Sequence, residues 1–436
     1  MAKKRIVTTA VAAVAMAVLF AGCSAASTTT AASSNSGIKG TITVLTNRTD
    51  VVDTLFKGYA TKFEKKYPGT HVQFEAVAQY ETDVTTRLSS GNYGDVLLIP
   101  NTVSMAQLPQ FFVPFGTVSA LKSKYRFLAE DEYKGNAYGI ATFGTTLGIV
   151  YNKAIWAKAG IKANPTSPEQ FIADLKLIKA KTSSIPYYTN YAAGWPLSKW
   201  EDTVGMMGNP NQENSLALTA APWARGQYHY IADGLLYDIV HGGLSEADPT
   251  TTDWETSKGL LGTGKISSMV LGSWAIAQMQ DAAVKAGNSA SDIGFMPFPY
   301  SLKGKQYAAL QGDYKMGISK HSSNKATALA WVNWFTNESG YAGTVGGISS
   351  LVGSANPANL QSFTHARVTF IGMNPAQLGK ENLVADISKE AQIDLQGNLY
   401  RQKLVDIARG AASGTKLSYF AQLNKQWAAA KAKIKA

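Results

Sequence analysis

Three short polar stretches hold the side chains with the clearest chemistry in the chain. Asn47, Arg48 and Asp50 follow a β-branched run that begins at Gly40. Gln79 and Tyr80 follow a second run, His71 to Glu75, and Asn101 and Thr102 follow a third, Asp95 to Ile99. Planar amides, a guanidinium and carboxylates can both donate to and accept from vicinal hydroxyls, so these stretches suit a polyhydroxylated ligand. Asp50 and Thr102 also read as helix N-caps, a role Asp and Thr favour. Aromatic rings supply the complementary surface, because a pyranose stacks a face of C–H groups on indole or phenol while its rim needs polar partners. Of nine tryptophans, Trp331, Trp334 and Trp427 fall at helical spacing among apolar residues and read as core. Trp195, after Ala192-Ala193-Gly194, and Trp223, beside Pro222, sit in loops where a ring can serve a ligand.

Other chemistries find less support. Gly259 to Lys265 fits the spacing of a phosphate loop, but Ile266 stands where Ser or Thr must reach magnesium, and no apolar strand precedes it. The five histidines, at 71, 229, 241, 321 and 365, have no metal-ligand spacing, so neither a metal nor another cofactor is expected. No Gly-x-Ser-x-Gly elbow occurs. Tyr187 and Tyr188 are adjacent, so in a strand they point to opposite faces and do not pair at one metal. A single cysteine, Cys23, excludes a disulfide scaffold and a cysteine-held zinc. Lys and Arg number 41 against 30 Asp and Glu, a formal charge of +11, but the basic residues are scattered and form no nucleic-acid stripe.

These residues need a scaffold, and the patterning describes one. Strand-like runs alternate with a helical stretch at residues 55–67, stopped by Pro68-Gly69, and another at 81–89, which predicts an α/β lobe built on a parallel sheet. A chain of 436 residues accommodates two or three such units. Ahead of them Lys3, Lys4 and Arg5 precede an uncharged stretch, residues 6–22, with the layout of an export signal and too short for a comfortable membrane span. Its end, Leu19-Phe20-Ala21-Gly22-Cys23, resembles a bacterial lipobox and predicts a lipid anchor on Cys23. Phe20 stands where that pattern prefers Leu, and a plain secretory signal is the alternative. Residues 23–37, rich in Ser, Thr and Ala, read as a flexible tether.

Several motifs then occur in a telling order: Phe63-Glu-Lys-Lys-Tyr-Pro-Gly69, Gly94-Asp-Val-Leu-Leu98, Gly148-Ile-Val-Tyr-Asn-Lys153, Pro165-Thr-Ser-Pro-Glu-Gln-Phe171, Gly272-Ser-Trp274, Ile293-Gly-Phe-Met-Pro297 and Gly317-Ile-Ser-Lys-His-Ser-Ser-Asn-Lys325. Together the chain resembles the family 1 extracellular solute-binding proteins of sugar ABC importers. The resemblance implies a two-lobed, periplasmic-binding-protein-like α/β fold of type II, hinged around a ligand cleft. It implies one lobe from 38–146 plus 306–350 and a second from 147–305 plus 351–436, with crossings near 143–149, 307–316 and 349–352. It also implies a monomer, without enzymatic activity or nucleic-acid partner, that passes a sugar or oligosaccharide to ABC permease subunits from the outer face of the cell membrane. Trp274 matches the family's sugar-stacking tryptophan, and Tyr400 aligns with another family aromatic. Asn47 and Arg48 match a loop that reaches the sugar. Phe143 and Thr145 on the first crossing, and Asp313 on the return, are placed at the ligand or the hinge, and Trp156 in the core. The competing expectation is an exported carbohydrate-active hydrolase using paired carboxylates such as Asp50 and Asp313.

Overall fold

The apolar runs that precede the polar loops become strands of one twisted sheet. The structure, a computed structural model, describes residues 37–434 apart from Gln79 and Leu378, so Cys23 and the segments read as leader and most of the tether lie outside the described residues. The strands used below are β1 (Gly40–Thr46), β2 (Thr70–Ala76), β3 (Val96–Leu98), β4 (Ile140–Asn152), β5 (Ser268–Gly272), β6 (Ile293–Met296) and β7 (Tyr307–Ser319). The helices are α1 (Lys57–Lys66), α2 (Tyr80–Ser90), α3 (Trp254–Gly262), α4 (Ala275–Lys285), α5 (Lys325–Asn337), α6 (Leu399–Ala408) and α7 (Lys416–Lys433), and other elements are given by range.

The sheet runs β6-β4-β7-β3-β1-β2, with β5 also beside β4. β1 pairs in parallel with β2 and β3, as the alternation of strands and helices predicts, but β4 and β7 enter antiparallel. These two long strands are the crossings. β4 pairs with β7 as far as Thr146, then with β5 from Leu147 and with β6 from Ile149. β7 pairs first with Thr369–Gly372, then with β4, and finally with β3.

Two regions of core hang on this shared sheet. One gathers Ile42, Val44, Phe63, Val96 and Met316 with Trp331 and Trp334 of α5. The other lies on both sides of β4 and β5: Leu175, Trp200, Leu236, Leu404 and Trp427 on one side, Val150, Leu271, Met279 and Phe295 on the other. Each fully buried side chain of this kind contributes about 1.5–3 kcal/mol. Trp156 is buried in the second core. Because one sheet threads both cores, the chain from Gly37 onward is one compact unit. In α7, Phe420, Leu423 and Trp427 are buried as their spacing predicts. Leu417 is exposed in the first turn and Ile434 follows the helix.

The crossing strands are thinned where they meet. Gly312 lies opposite Gly144, and Phe127 covers the pair: a Cβ on Gly144 would sit 2.2 Å from Phe127 Cζ, and one on Gly312 2.8 Å from Phe127 Cβ. One residue beyond Asp313 the ladder skips Tyr314, which has φ +49°, a left-handed conformation costing a non-glycine residue about 1–2 kcal/mol. Its amide donates to Asp313 Oδ1 at 2.6 Å, its carbonyl accepts from Thr142 Oγ1 at 2.7 Å, and its hydroxyl meets Thr46 Oγ1 at 2.5 Å. Those bonds hold the kink.

Candidate ligand-binding cleft

The loop after β1 is fixed by the kinked strand. Thr46, bonded to Tyr314, accepts from the Arg48 amide at 3.1 Å. The Arg48 guanidinium donates through Nε and Nη2 to both oxygens of Asp50 at 2.8 Å, and through Nη1 to Tyr341 Oη at 2.9 Å. Its hydrogen bond holds the Asp50 carboxyl below the usual range, and Lys258, from α3 of the second core, adds to the shift. Asp50 is therefore an ion-paired carboxylate and caps no helix. Asn47 is exposed beside this pair.

The next two loops behave differently. Gln79 lies outside the described residues. Tyr80 is buried: its hydroxyl donates to the Leu98 carbonyl at 3.2 Å and accepts from the Leu98 amide at 2.8 Å, and burial pushes its phenol up. It clamps α2 to β3, a correction to its expected place at a ligand. Asn101 lines the cleft, held through its amide and side chain by Glu81 at 2.8 and 3.0 Å. Thr102 turns to Thr85, 2.7 Å away.

On the crossings, Phe143 is buried edge-on to Tyr341, with the backbone of Gly347 close against it. Its ring is part of the first core, which corrects the expectation of ligand contact. Thr145 is buried with its hydroxyl unpaired, in register with Gln311, which lines the cleft. Asp313 lines it too. Burial pushes its carboxyl up, opposed by Lys315, Lys199 and Arg48. Beside it Glu130 accepts from the Gly312 amide at 2.6 Å and lies 3.6 Å from Lys315 Nζ, which is also 3.7 Å from Asp131. Burial pushes Glu130 up to about 7. Glu213, from the second core, is pushed up to about 7 by burial and by the negative charges of Glu201 and Asp202. These groups edge a cavity of about 1240 Å³ that residues of both cores line.

The second core adds three partly exposed indoles. Trp195 lies 4.9 Å from Trp254 and 5.8 Å from Trp274, and the last two are 5.9 Å apart, ring centre to ring centre. Trp274 folds back over Gly272, where a Cβ would stand 2.2 Å from its Nε1, so glycine there is a packing requirement. Lys258 Nζ lies 5.1 Å over the Trp254 ring. Gly194, with φ +75°, packs against Asn398, and the next residue, Leu399, lines the cavity with 65% of its surface exposed. The indoles therefore lie near the rim of the cavity, and Lys258, over the Trp254 ring, acts on Asp50 of the first core.

Two expected aromatics lie elsewhere. Trp223 is buried, its Nε1 donating to Asp233 Oδ2 at 2.7 Å. Tyr400 is buried beside it, donating to the same oxygen at 3.3 Å. Arg401 lies at the centre, bonded to Asp233 at 2.9 Å and to Glu201 at 2.7 Å, and Glu201 meets His229 at 3.0 Å. Burial would raise Glu201, but His229 and Arg401 outweigh it and hold it at about 2. This network explains both corrections: the two rings cover buried charge. Trp254, Glu130, Glu213 and Lys199 are the residues that sequence reasoning missed. Trp254 shares a helical stripe with Leu261 and so reads as core, although it overhangs the core's edge. The carboxylates are brought to the cleft by contacts distant in sequence. Among the described residues no three His, Cys, Asp or Glu side chains gather to hold a metal ion. The pairing of Asp50 with Arg48 keeps that carboxyl ionised, so it is no acid catalyst.

Comparison with known proteins agrees with this geometry. The family described as bacterial extracellular solute-binding protein matches residues 49–342. Two solved binding proteins from Bifidobacterium animalis subsp. lactis superpose with TM-score 0.83. One, of an ABC transporter and in complex with mannobiose, is 36% identical; the other, a manno-oligosaccharide-specific protein in complex with mannotriose, is 33% identical. Each alignment covers 92% of this chain and 96% of the other. A multiple sugar-binding protein of Streptococcus mutans is 25% identical over 306 residues, 66% of this chain and 70% of that protein.

Proposed function

The chain belongs to the bacterial extracellular solute-binding proteins, and from that premise we propose that its cleft captures an oligosaccharide, a short manno-oligosaccharide in the first instance, and presents it to an ABC importer. The observation that carries the reading is the cluster of Trp195, Trp254 and Trp274, partly exposed on the second core, with Lys258 over the Trp254 ring and acting on Asp50 of the first core. Indole faces take the C–H face of a sugar, while Asn47, Arg48, Asp50, Asn101 and Asp313 meet its hydroxyl rim. The relatives of 36% and 33% identity, bound to mannobiose and mannotriose, supply the ligand class.

Capture requires the two lobes, 38–146 plus 306–350 and 147–305 plus 351–436, to close on the ligand. A ligand drives closure only by binding the closed state more tightly than the open one. The sugar leaves unchanged, because the family binds and releases. The permease subunits of the importer are the receiving partner. The chain acts as a monomer tethered by a lipid on Cys23 to the outer face of the membrane; a plain secretory signal would leave it free.

Calorimetric titration with mannobiose and mannotriose tests this reading. Saturable binding is expected, with Trp274→Ala and Trp254→Ala each weakening it about tenfold or more, as the loss of a stacked ring implies. Absence of binding to either sugar, or unchanged affinity in both variants, would refute the assignment.

A further inference from the structure

Gly144 of β4 lies opposite Gly312 of β7 on one side and opposite Ile348 on the other. Ile348 belongs to a third crossing: the chain leaves Tyr341 in the first core and reaches Leu360 and Phe363 in the second. All three crossings therefore meet at Gly144. Its φ is not positive, so the backbone admits a side chain there, and what excludes one is the Phe127 ring, 2.2 Å from where the Cβ would stand. The segment that carries this ring, 124–131, is bonded to the other two crossings as well. The Arg126 amide donates to the Ser350 carbonyl at 2.8 Å, the Val352 amide to the Lys124 carbonyl at 3.0 Å, and Arg126 Nη2 to the Ser354 carbonyl at 3.2 Å. On β7 the Gly312 amide donates to Glu130 at 2.6 Å. The segment itself belongs to the first core, where Tyr125 and Leu128 are buried and Tyr125 Oη donates to Asn333 of α5 at 3.2 Å. Phe127 holds φ +65°, a conformation that a residue with a side chain keeps only where its surroundings over-determine it.

We propose that 124–131 is a clasp on the hinge, with Phe127 as its wedge, and that it sets the affinity of the cleft without the ring touching the ligand. The inference rests on the reading above that the lobes close on a sugar. Crossings pinned to the first core at one point sample fewer conformations, so less ordering is left for the ligand to impose. Loosening the clasp lowers the fraction of protein competent to bind, and the apparent Kd is the intrinsic value divided by that fraction. Every ligand must then weaken by the same factor. Phe127 and Gly144 act as positioning residues: Ala129 and Glu130 of the clasp and Gly312 of β7 line the cavity, and these two do not.

Titration calorimetry with mannobiose and mannotriose, and small-angle X-ray scattering, both on the full-length protein, test the clasp. Phe127→Ala should weaken both sugars by one common factor of about three or more. Its sugar-free radius of gyration should exceed that of the wild type and return to the wild-type value with mannotriose bound. Gly144→Ala should act in the same way by displacing the ring. Combined with Phe127→Ala it should cost no more than Phe127→Ala alone, because the new methyl enters space the ring has left. Arg126→Ala removes one bond and no buried ring, so it folds where the ring variants do not, and it should give a smaller effect of the same sign. Factors that differ between the two sugars, additive losses in the double variant, or sugar-free scattering identical to wild type in every variant would each overturn the clasp and leave the sugar reading intact. Wild-type protein that binds neither sugar refutes the sugar reading and the claim on affinity with it, and the sugar-free scattering still judges the clasp.

Discussion

In the second core Glu201 and Asp233 share the buried Arg401, and Glu201 has His229 as well; along the cleft Glu130 and Glu213 are half-buried with far less to neutralise them. The outcomes diverge. Glu201 is held at about 2, whereas Glu130 and Glu213 are pushed up to about 7. Burial raises all three, and the difference lies in compensation. Around Arg401 every carboxylate has a cation at bonding distance, and Trp223, Tyr228 and Tyr400 seal the cluster. Along the cleft Lys315 is shared between Glu130 and Asp131 at 3.6 and 3.7 Å, and acts on Asp313 too. Charge paired at bonding distance marks the second core in this molecule, and under-compensated charge lines the cavity.

Removing Arg401 should break the comparison most severely. Arg401→Met leaves Asp233 and part of Glu201 buried without their cation, an expected loss of about 3–5 kcal/mol of stability. Urea unfolding would measure it. A loss below about 1 kcal/mol would mean that the cluster is not the closed network described.

The next effect is a dependence on pH of opposite sign in the two regions. Glu130 and Glu213 have folded values of about 7 against an ordinary 4.5, so between those values the folded protein holds protons that the unfolded chain releases. Their contribution therefore makes the protein more stable as pH falls from 7 toward 4.5, and that gain disappears as pH rises through 7. Glu201 acts in reverse: its stabilisation is complete above 4.5 and is lost as pH falls toward 2. Scanning calorimetry across this range should find a melting temperature that rises on mild acidification, then collapses. Glu213→Gln should flatten the rise and leave the collapse in place.

The smallest effect sharpens the comparison at the exposed edge of the cleft. Asp50→Asn removes the bidentate partner of Arg48 but breaks a largely exposed pair, so stability should change by less than about 1 kcal/mol. Ligand affinity should respond more, because the guanidinium loses the contact that aims it. Parallel melting and titration measurements would separate the two, and an equal response in both would place Arg48 with the architecture.

Much of this was legible in the residue pattern. The β-branched runs before Asn47 and Asn101 are strands, and residues 143–149 span the point where β4 changes partners between Thr146 and Leu147. Local pattern suffices there because strand formation and polar strand ends are local matters. Trp223 and Tyr400 resisted reading because their partner, Asp233, is reached only through the fold. Pro222 and the Gly397-Asn398 turn suggest exposure, while one carboxylate, ten residues from Trp223 and 167 from Tyr400, draws both rings inward. Leu399, the aliphatic neighbour of Tyr400, is the residue exposed at the cavity, one position from the expected aromatic.

The shared sheet has a consequence for how the chain is made. β1, β2 and β3 emerge early, yet the edge of β3 is covered only by the end of β7, and the aromatic side of that core is supplied by α5. Until residues up to about Tyr341 have been synthesised, the N-terminal strands carry an unpaired edge and bare apolar surface, the condition in which chains aggregate or recruit a holdase. Acquisition of structure must wait for distant segments to meet, which makes it slow for a protein of this size.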